Sequence, residues 1–191
     1  MTATPTYRAR LYAALPRRRT WLKALHAVMI PLTFWFMIAT PGFVRDTLGP
    51  GGALINSKIA LVFVLLCLFW TFDYVRRGFA SRPGPKLPPR ARKIHKLLHR
   101  VIIWGLFLVP VGGFLLGLTS HRLLKAGGFW PIAPPMDWPT ANEIIGKLHI
   151  IEFYTLGAII VFHAGFHIWR HVKLRDNALR IMAPKFLHRF L

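Results

Sequence analysis

The stretch from Lys147 to His163, KLHIIEFYTLGAIIVFH, places two histidines inside one long apolar segment. His149 and His163 are fourteen residues apart, which is close to four turns of α-helix. On a helix the two imidazoles therefore lie on nearly the same face, roughly 21 Å apart along the axis. The hydrocarbon core of a bilayer is about 30 Å thick, so such a helix would place one histidine near each membrane face. Histidine at that depth is costly and usually functional.

The composition independently indicates a membrane protein. Hydrophobic residues make up 54% of the 191 residues and the mean hydropathy is +0.42, which is too apolar for an ordinary soluble domain. Four segments have roughly the 20 residues that a crossing requires. They are Leu22–Thr40, Ala53–Tyr74, Ile94–Leu118 and Glu143–Trp169. The sequence therefore predicts an all-α membrane protein, with residues 1–191 forming a single domain and an antiparallel four-helix transmembrane bundle.

The net charge of +20 is distributed unevenly among the connections. Of the 26 Lys and Arg residues, 21 lie before or at the start of the first span, around the second connection, or after the last span. This is the positive-inside pattern, and it predicts that both termini and the second connection face the cytoplasm. Basic clusters that meet anionic lipid headgroups account for the charge, and no nucleic-acid partner is expected.

Imidazole is a common axial ligand of haem iron, and two histidines suit such a role by depth. His26 lies near the basic start of the first span and His163 lies in the corresponding half of the fourth. A haem held between these helices is geometrically sensible. The alternative interpretation is that both histidines only hydrogen-bond to neighbouring helices. His149 would serve a second haem towards the opposite face. The single cysteine, Cys67, excludes a C-x-x-C-H attachment site, so any haem is expected to be noncovalent, of b type.

Other histidines recur at a spacing of four residues near the basic ends of two spans. His95 and His99 open the third span, and His163, His167 and His171 end the fourth. This spacing suits a transition metal on one helix face, and it also suits interfacial histidines beside a basic rim. His99 lies deeper than His95, so it is a candidate to contact a haem propionate or a quinone, or to replace a ligand.

The C-terminal stretch HAGFHIWRHVKLRDNALRIMAPK closely resembles the ending of the bacterial cytochrome b-561 family. In that family a ligand histidine is followed thirteen residues later by Asp-Asn, and here His163 is followed by Asp176 and Asn177. The fourteen-residue histidine pair also matches, as do LKALHAVMI around His26 and HRVIIWGLFLVPVGG from His99. The resemblance covers nearly all of the chain. The cytochrome b subunits of formate dehydrogenase and nickel-iron hydrogenase share the four-helix pattern, but their tails differ.

The resemblance implies a dihaem cytochrome b of the bacterial plasma (inner) membrane that exchanges electrons with quinone, and one branch of the family oxidises superoxide at the outer face. It implies that His26 and His163 bind the inner haem iron and that His149 binds the outer one. The family's second outer ligand is a histidine in span 2, which contains none here. Three alternatives are open: no outer haem; an outer haem that is five-coordinate or bound by Lys58 or His121; or a wrong alignment of span 2.

Two function classes remain in competition. The first is a quinone-linked redox protein, uncertain as an enzyme, that passes electrons from an outer-face donor to the quinone pool. The second is a haem-bearing anchor or accessory subunit of a larger redox complex, with a partner redox protein or an oligomer. A haem-free transporter would need intramembrane acids or broken helices, and Asp73 and Glu152 are the only acids inside the spans apart from Glu143, which opens the fourth. In the outer connection, Trp130 and Trp138 suit the membrane–water interface or the rim of a donor site. His188 is expected at the surface.

Overall fold

A computed structural model describes residues 18–80, 84–183 and 188–189. Within these residues the chain forms six α-helices and one two-stranded antiparallel hairpin. In chain order they are α1 (Arg18–Ile38), α2 (Pro41–Leu48), α3 (Gly52–Arg77), α4 (Pro89–Leu118), β1 (Leu124–Ala126), β2 (Trp130–Ala133), α5 (Pro139–Lys173) and α6 (Ala178–Met182). The helices α1, α3, α4 and α5 are long and apolar enough to cross a membrane. The predicted all-α membrane bundle with four spans is therefore confirmed.

The helices extend beyond most of the predicted spans because polar residues continue them past the apolar segments. Arg76 and Arg77 form the last turn of α3, where cations favour the negative end of the helix dipole. Pro89 and Pro139 begin α4 and α5 at a position where the missing N–H of proline costs nothing.

The first predicted span is too long by two residues, because Thr40 belongs to the next helix. The Thr40 hydroxyl accepts a hydrogen bond from the backbone N–H of Phe43 at 3.3 Å and caps α2. Pro41 then occupies the first turn of α2. The short helix α2 was not predicted, since its eight residues carry no long apolar repeat.

The four long helices form a closed ring in which each packs against two neighbours. The helix α5 packs along α4, α4 along α3, α3 along α1, and α1 along α5. Each helix of the ring contributes to one buried apolar core, which consists of Leu22, Leu25, Met29, Phe63, Cys67, Leu106, Val109 and Leu156. Many large apolar side chains point outward instead; on α5, Ile150, Ile151, Val161 and Phe162 are each more than half exposed. So extensive an exposed apolar surface suits a bundle surrounded by lipid.

The two ends of the bundle differ in chemistry. One end is rich in arginine and lysine and is called the basic end here. It is the end at which α1 and α4 start and α3 and α5 finish. The other end carries α2 and the hairpin, and is called the hairpin end. The hairpin was not predicted; it turns at Gly127 and Gly128, whose φ values of 61° and 79° favour glycine.

The second connection is irregular in its described residues 78–80 and 84–88. The basic residues Arg8, Arg10 and Arg17, which contribute to the predicted orientation, lie outside the described part of the chain.

Candidate functional site

A partly open cavity of about 430 Å³ runs along α1 from the basic end, and all four long helices line it. Four of its lining residues are histidines: His26 from α1, His99 from α4, and His163 and His167 from α5. The cavity is called the histidine cavity here. Its volume is within the range of about 300–1,000 Å³ that is typical of small-molecule and cofactor sites. Most of the remaining lining residues are apolar, so the four imidazoles supply much of its polar chemistry.

One hydrogen bond fixes the tautomer of His26. Its Nδ1 lies 3.0 Å from the backbone oxygen of Leu22, one turn earlier in α1. A carbonyl oxygen only accepts hydrogen bonds, so Nδ1–H donates and Nε2 keeps its lone pair. The Trp70 ring packs edge-on against the imidazole, with 4.5 Å between ring centroids. His26 therefore offers an oriented Nε2, which is the arrangement that supports metal-ligating histidines.

His99 repeats this arrangement on α4. Its Nδ1 lies 2.7 Å from the backbone oxygen of His95, so Nδ1–H donates and Nε2 again keeps the lone pair. The His99 ring packs edge-on against His163, with 4.7 Å between centroids, and His163 lies 4.5 Å from His167. Nδ1 of His163 and Nε2 of His167 are buried and have no hydrogen-bond partner among the described residues. Buried polar atoms of this kind call for an explanation, and a bound group is one of the ordinary ones.

His95 completes a group of four packed imidazoles, which is called the histidine cluster here and consists of His95, His99, His163 and His167. The His95 side chain is only 2% exposed, and its ring centroid lies 4.2 Å from that of His99 and 5.7 Å from that of His167. One ligand atom from each of His95, His99 and His167 lies within 4.8 Å of the other two. His95 does not line the histidine cavity, so it lies on the far side of the cluster.

An ion pair closes the basic edge of the histidine cavity. Nε and Nη2 of Arg18 donate to Oδ2 of Asp73 at 2.9 and 2.6 Å, and Nη2 also donates to the backbone oxygen of Gly78 at 2.7 Å. The Asp73 side chain is 7% exposed. This carboxylate, one of two acids predicted inside the spans, therefore joins α3 to the start of α1.

A second buried ion pair lies just beyond the histidine cluster. Nε and Nη2 of Arg170 donate to Oδ2 of Asp176 at 2.9 and 2.7 Å, and both side chains are 2% exposed. The other oxygen, Oδ1, accepts from the backbone N–H of Ala178 at 3.0 Å and so supports the start of α6. Gly84 lies over the pair, where a Cβ would come within 2.9 Å of Arg170 Nη2. The Asp-Asn tail motif therefore has a structural role in this chain.

The predicted outer-site residue His149 lies in the hairpin half of α5, against a glycine pair on α4. A Cβ on Gly112 would meet His149 Nδ1 at 2.9 Å and Glu152 Oε2 at 2.8 Å, and a Cβ on Gly113 would come within 3.5 Å of the ring. A side chain at Gly112 would therefore force His149 or Glu152 to move, whereas a Cβ on Gly113 would make ordinary contact with the ring. Nδ1 of His149 and Oε2 of Glu152 are 3.6 Å apart, which is too long for a direct hydrogen bond.

The residues of α3 near the position expected for the second ligand of the outer haem make other contacts. Oδ1 of Asn56 accepts from the indole N–H of Trp35 at 2.9 Å, and the Ser57 hydroxyl donates to the backbone oxygen of Ala53 at 2.9 Å. Lys58 is exposed on the surface of α3. His149 makes no ring contact with a second histidine in residues 18–80 and 84–183.

The remaining predicted residues lie apart from these sites. His121, one of the possible outer haem ligands, is exposed in the connection before the hairpin, where its Nε2 lies 3.4 Å from Arg122 Nε. His188 is half-buried, and its Nε2 lies 3.1 Å from the backbone oxygen of Ala183. Trp130 and Trp138 are 68% and 58% exposed at the hairpin end, as suits an interfacial position.

The sequence analysis assigned the histidines of α4 and α5 to separate stripes, and the structure brings them together. The antiparallel order of the spans predicts this proximity, because α4 starts and α5 finishes at the same end of the bundle. His95 and His99 then lie at the level of His163 and His167. Comparison of this chain with protein-family models and with curated proteins returns no match, so the family resemblance stays a prediction from the sequence.

The residues around the histidine cavity fit a b-type haem in their donor set. Two imidazoles on facing helices, His26 and His163, line it, and the Nε2 lone pair of His26 is left available by its bond to Leu22. His163 has a buried nitrogen without a hydrogen-bond partner in the described residues. The surroundings of His149 fit less completely, because they bring one imidazole and one carboxylate together.

Proposed function

We propose that the chain is a b-type haem electron-transfer protein of the bacterial inner membrane, which passes electrons between an outer-face donor and the quinone pool. The observation that carries the proposal is the histidine cavity, which an apolar bundle lines with His26, His99, His163 and His167. Imidazoles are costly inside a membrane, and four of them around one apolar cavity need a common purpose. Haem supplies reversible one-electron chemistry when it is bound there.

In this proposal His26 and His163 hold the inner haem from α1 and α5. The Leu22 carbonyl keeps the His26 ring in one tautomer and orientation, and Trp70 packs against its edge. The walls of the cavity are largely apolar. The Arg18–Asp73 pair places a partly neutralised cation at the basic edge of the cavity, where a carboxylate-bearing or quinone ligand would enter from the membrane surface.

The role of His99 in the proposal is to contact the cofactor or a quinone beside it. Its Nε2 has an available lone pair and its ring touches His163, so a change at His99 acts directly on the ligand environment. At the hairpin end, His149 and Glu152 offer one imidazole ligand and one carboxylate to the outer site. With superoxide as the donor, the outer step would give up one electron and release molecular oxygen, so it neither consumes nor releases a proton.

The test is haem content per chain in the purified protein and in two single variants. We expect a red protein with the reduced α-band of low-spin b haem, because two imidazole ligands favour low spin. His163→Ala should remove at least one haem per chain in a pyridine haemochrome assay, whereas His188→Ala, which changes a half-buried histidine beyond the last span, should remove none. A folded parent without haem would refute the proposal, and equal haem retention in both variants would refute the ligand assignment.

The anchoring alternative is distinguished by activity rather than by colour. A haem-bearing chain that reduces a soluble ubiquinone analogue on its own supports the relay. A haem-bearing chain that is inactive alone, and that becomes active only after a partner redox protein is added, supports the anchor or accessory subunit.

A further inference from the structure

We propose that His95, His99 and His167 form a transition-metal site of the zinc type, which joins α4 to α5 beside the histidine cavity. The site is distinct from the proposed haem ligands, since neither His26 nor His163 belongs to it. The inference does not rest on the proposed function.

The distances between the three imidazoles are close to those of a metal site. One ligand nitrogen from each of the three lies within 4.8 Å of the other two. A tetrahedral zinc with Zn–N bonds of about 2.0–2.1 Å places its ligand nitrogens roughly 3.4 Å apart. The three nitrogens therefore have to approach by about 1.4 Å or less, since they lie within 4.8 Å now. Small rotations of the side chains supply such a change without movement of the helices.

The surroundings hold two of the ligands in the form that a metal requires. His99 donates its Nδ1–H to the backbone oxygen of His95, so Nε2 of His99 keeps the lone pair. Nε2 of His167 is buried and has no hydrogen-bond partner in the described residues, which a bound metal would explain. The third ligand, His95, is 2% exposed and lies against both of the others.

The local charges also permit a bound dication. Arg170 follows His167 by one turn of α5, and its positive charge is offset by the two hydrogen bonds that it donates to Asp176. Three imidazoles without a thiolate suit borderline divalent metals such as Zn²⁺, Cu²⁺ and Ni²⁺. Three protein ligands leave the fourth position open, and because His99 and His167 line the histidine cavity, that position is available to water or a small ligand there.

The test measures zinc and haem in the same samples of the full chain in detergent. The protein is prepared in metal-free buffer, incubated with ZnCl₂ and desalted, and zinc per chain is measured by mass spectrometry. A competition titration with a chromophoric chelator gives the affinity. The variants are His95→Gln, His99→Gln and His167→Gln, and the matched control is His171→Gln, one turn further along α5.

We expect one zinc per chain in the parent and in His171→Gln, and at least tenfold weaker binding in each of the other three variants. His95→Gln separates this site from the haem site, because His95 does not line the cavity: zinc should be lost and haem content kept. A parent without zinc, or His95→Gln with the affinity of the parent, would overturn the proposal. If a variant fails to fold, zinc-edge X-ray absorption of the parent decides, since three imidazoles support the site and fewer than three overturn it.

Discussion

Removal of the Asp176 carboxylate should be the most destabilising single charge change in the described part of the molecule. Asp176 accepts two hydrogen bonds from Arg170, and both side chains are 2% exposed. Loss of one partner leaves the other charge buried and uncompensated, which costs about 3–5 kcal/mol. Asp176→Asn isolates this cost, because the amide oxygen can still accept from the backbone N–H of Ala178. Asp176→Ala also loses that bond at the start of α6, which adds about 1 kcal/mol.

The assay is equilibrium unfolding in mixed micelles, in which the fraction of SDS is raised and helix content is followed by circular dichroism. The control is Asp46→Asn, which breaks an ion pair with Arg45 whose side chains are 78% and 73% exposed, and which should cost less than about 1 kcal/mol. In the double variant Arg170→Met/Asp176→Asn much of the loss should be recovered, because no charge is then left buried. If Asp176→Asn costs no more than Asp46→Asn, the argument from burial is wrong.

Two further predictions concern close contacts made by glycines. Gly105→Val should destabilise the bundle by about 1–3 kcal/mol, because even a Cβ there would lie 2.7 Å from Leu156 Cδ1. Gly165→Ala should not destabilise it, because a Cβ there would have nothing within 4 Å. Unfolding in SDS compares the stabilities of the two variants. An outer haem bound by His149 without a second histidine should form a high-spin, labile haem fraction. Gly112→Leu should remove this fraction as His149→Ala does, because a Cβ there would meet His149 Nδ1 at 2.9 Å. Lys58→Ala, which changes an exposed residue, should leave that fraction unchanged in the absorption spectrum. Loss of the fraction in Lys58→Ala would restore Lys58 as a ligand.

The sequence predicts the four long helices well because length and hydropathy alone decide them. A run of about 20 apolar residues has few alternatives to a membrane-spanning helix. The elements that the sequence analysis missed, α2 and the hairpin, are short and lie at the hairpin end. Their stability depends on single contacts, such as the Thr40 cap and the turn at Gly127 and Gly128, rather than on a long repeat.

The buried ion pairs were harder to predict because each joins residues whose proximity depends on the fold. Arg18 and Asp73 are 55 residues apart in sequence, and they meet only because the start of α1 packs beside the finish of α3. Sequence analysis recognised Asp73 as an acid inside a span and could not supply its partner. Charge counting assigned Arg18 to the basic rim, where most arginines meet lipid headgroups and water. The fold instead uses it to neutralise a buried carboxylate.

Depth in the bundle is the property that links the predicted site to the observed one. The pairing of His26 with His163 was inferred from their similar distance to the basic end, and both residues line the histidine cavity. The same argument applies to His99 and His167, because consecutive spans run in opposite directions and α4 starts where α5 finishes. A spacing of four residues along one helix therefore does not define a metal site by itself. Two such spacings at one depth, on helices that pack together, place nitrogens from both helices within reach of a single ion.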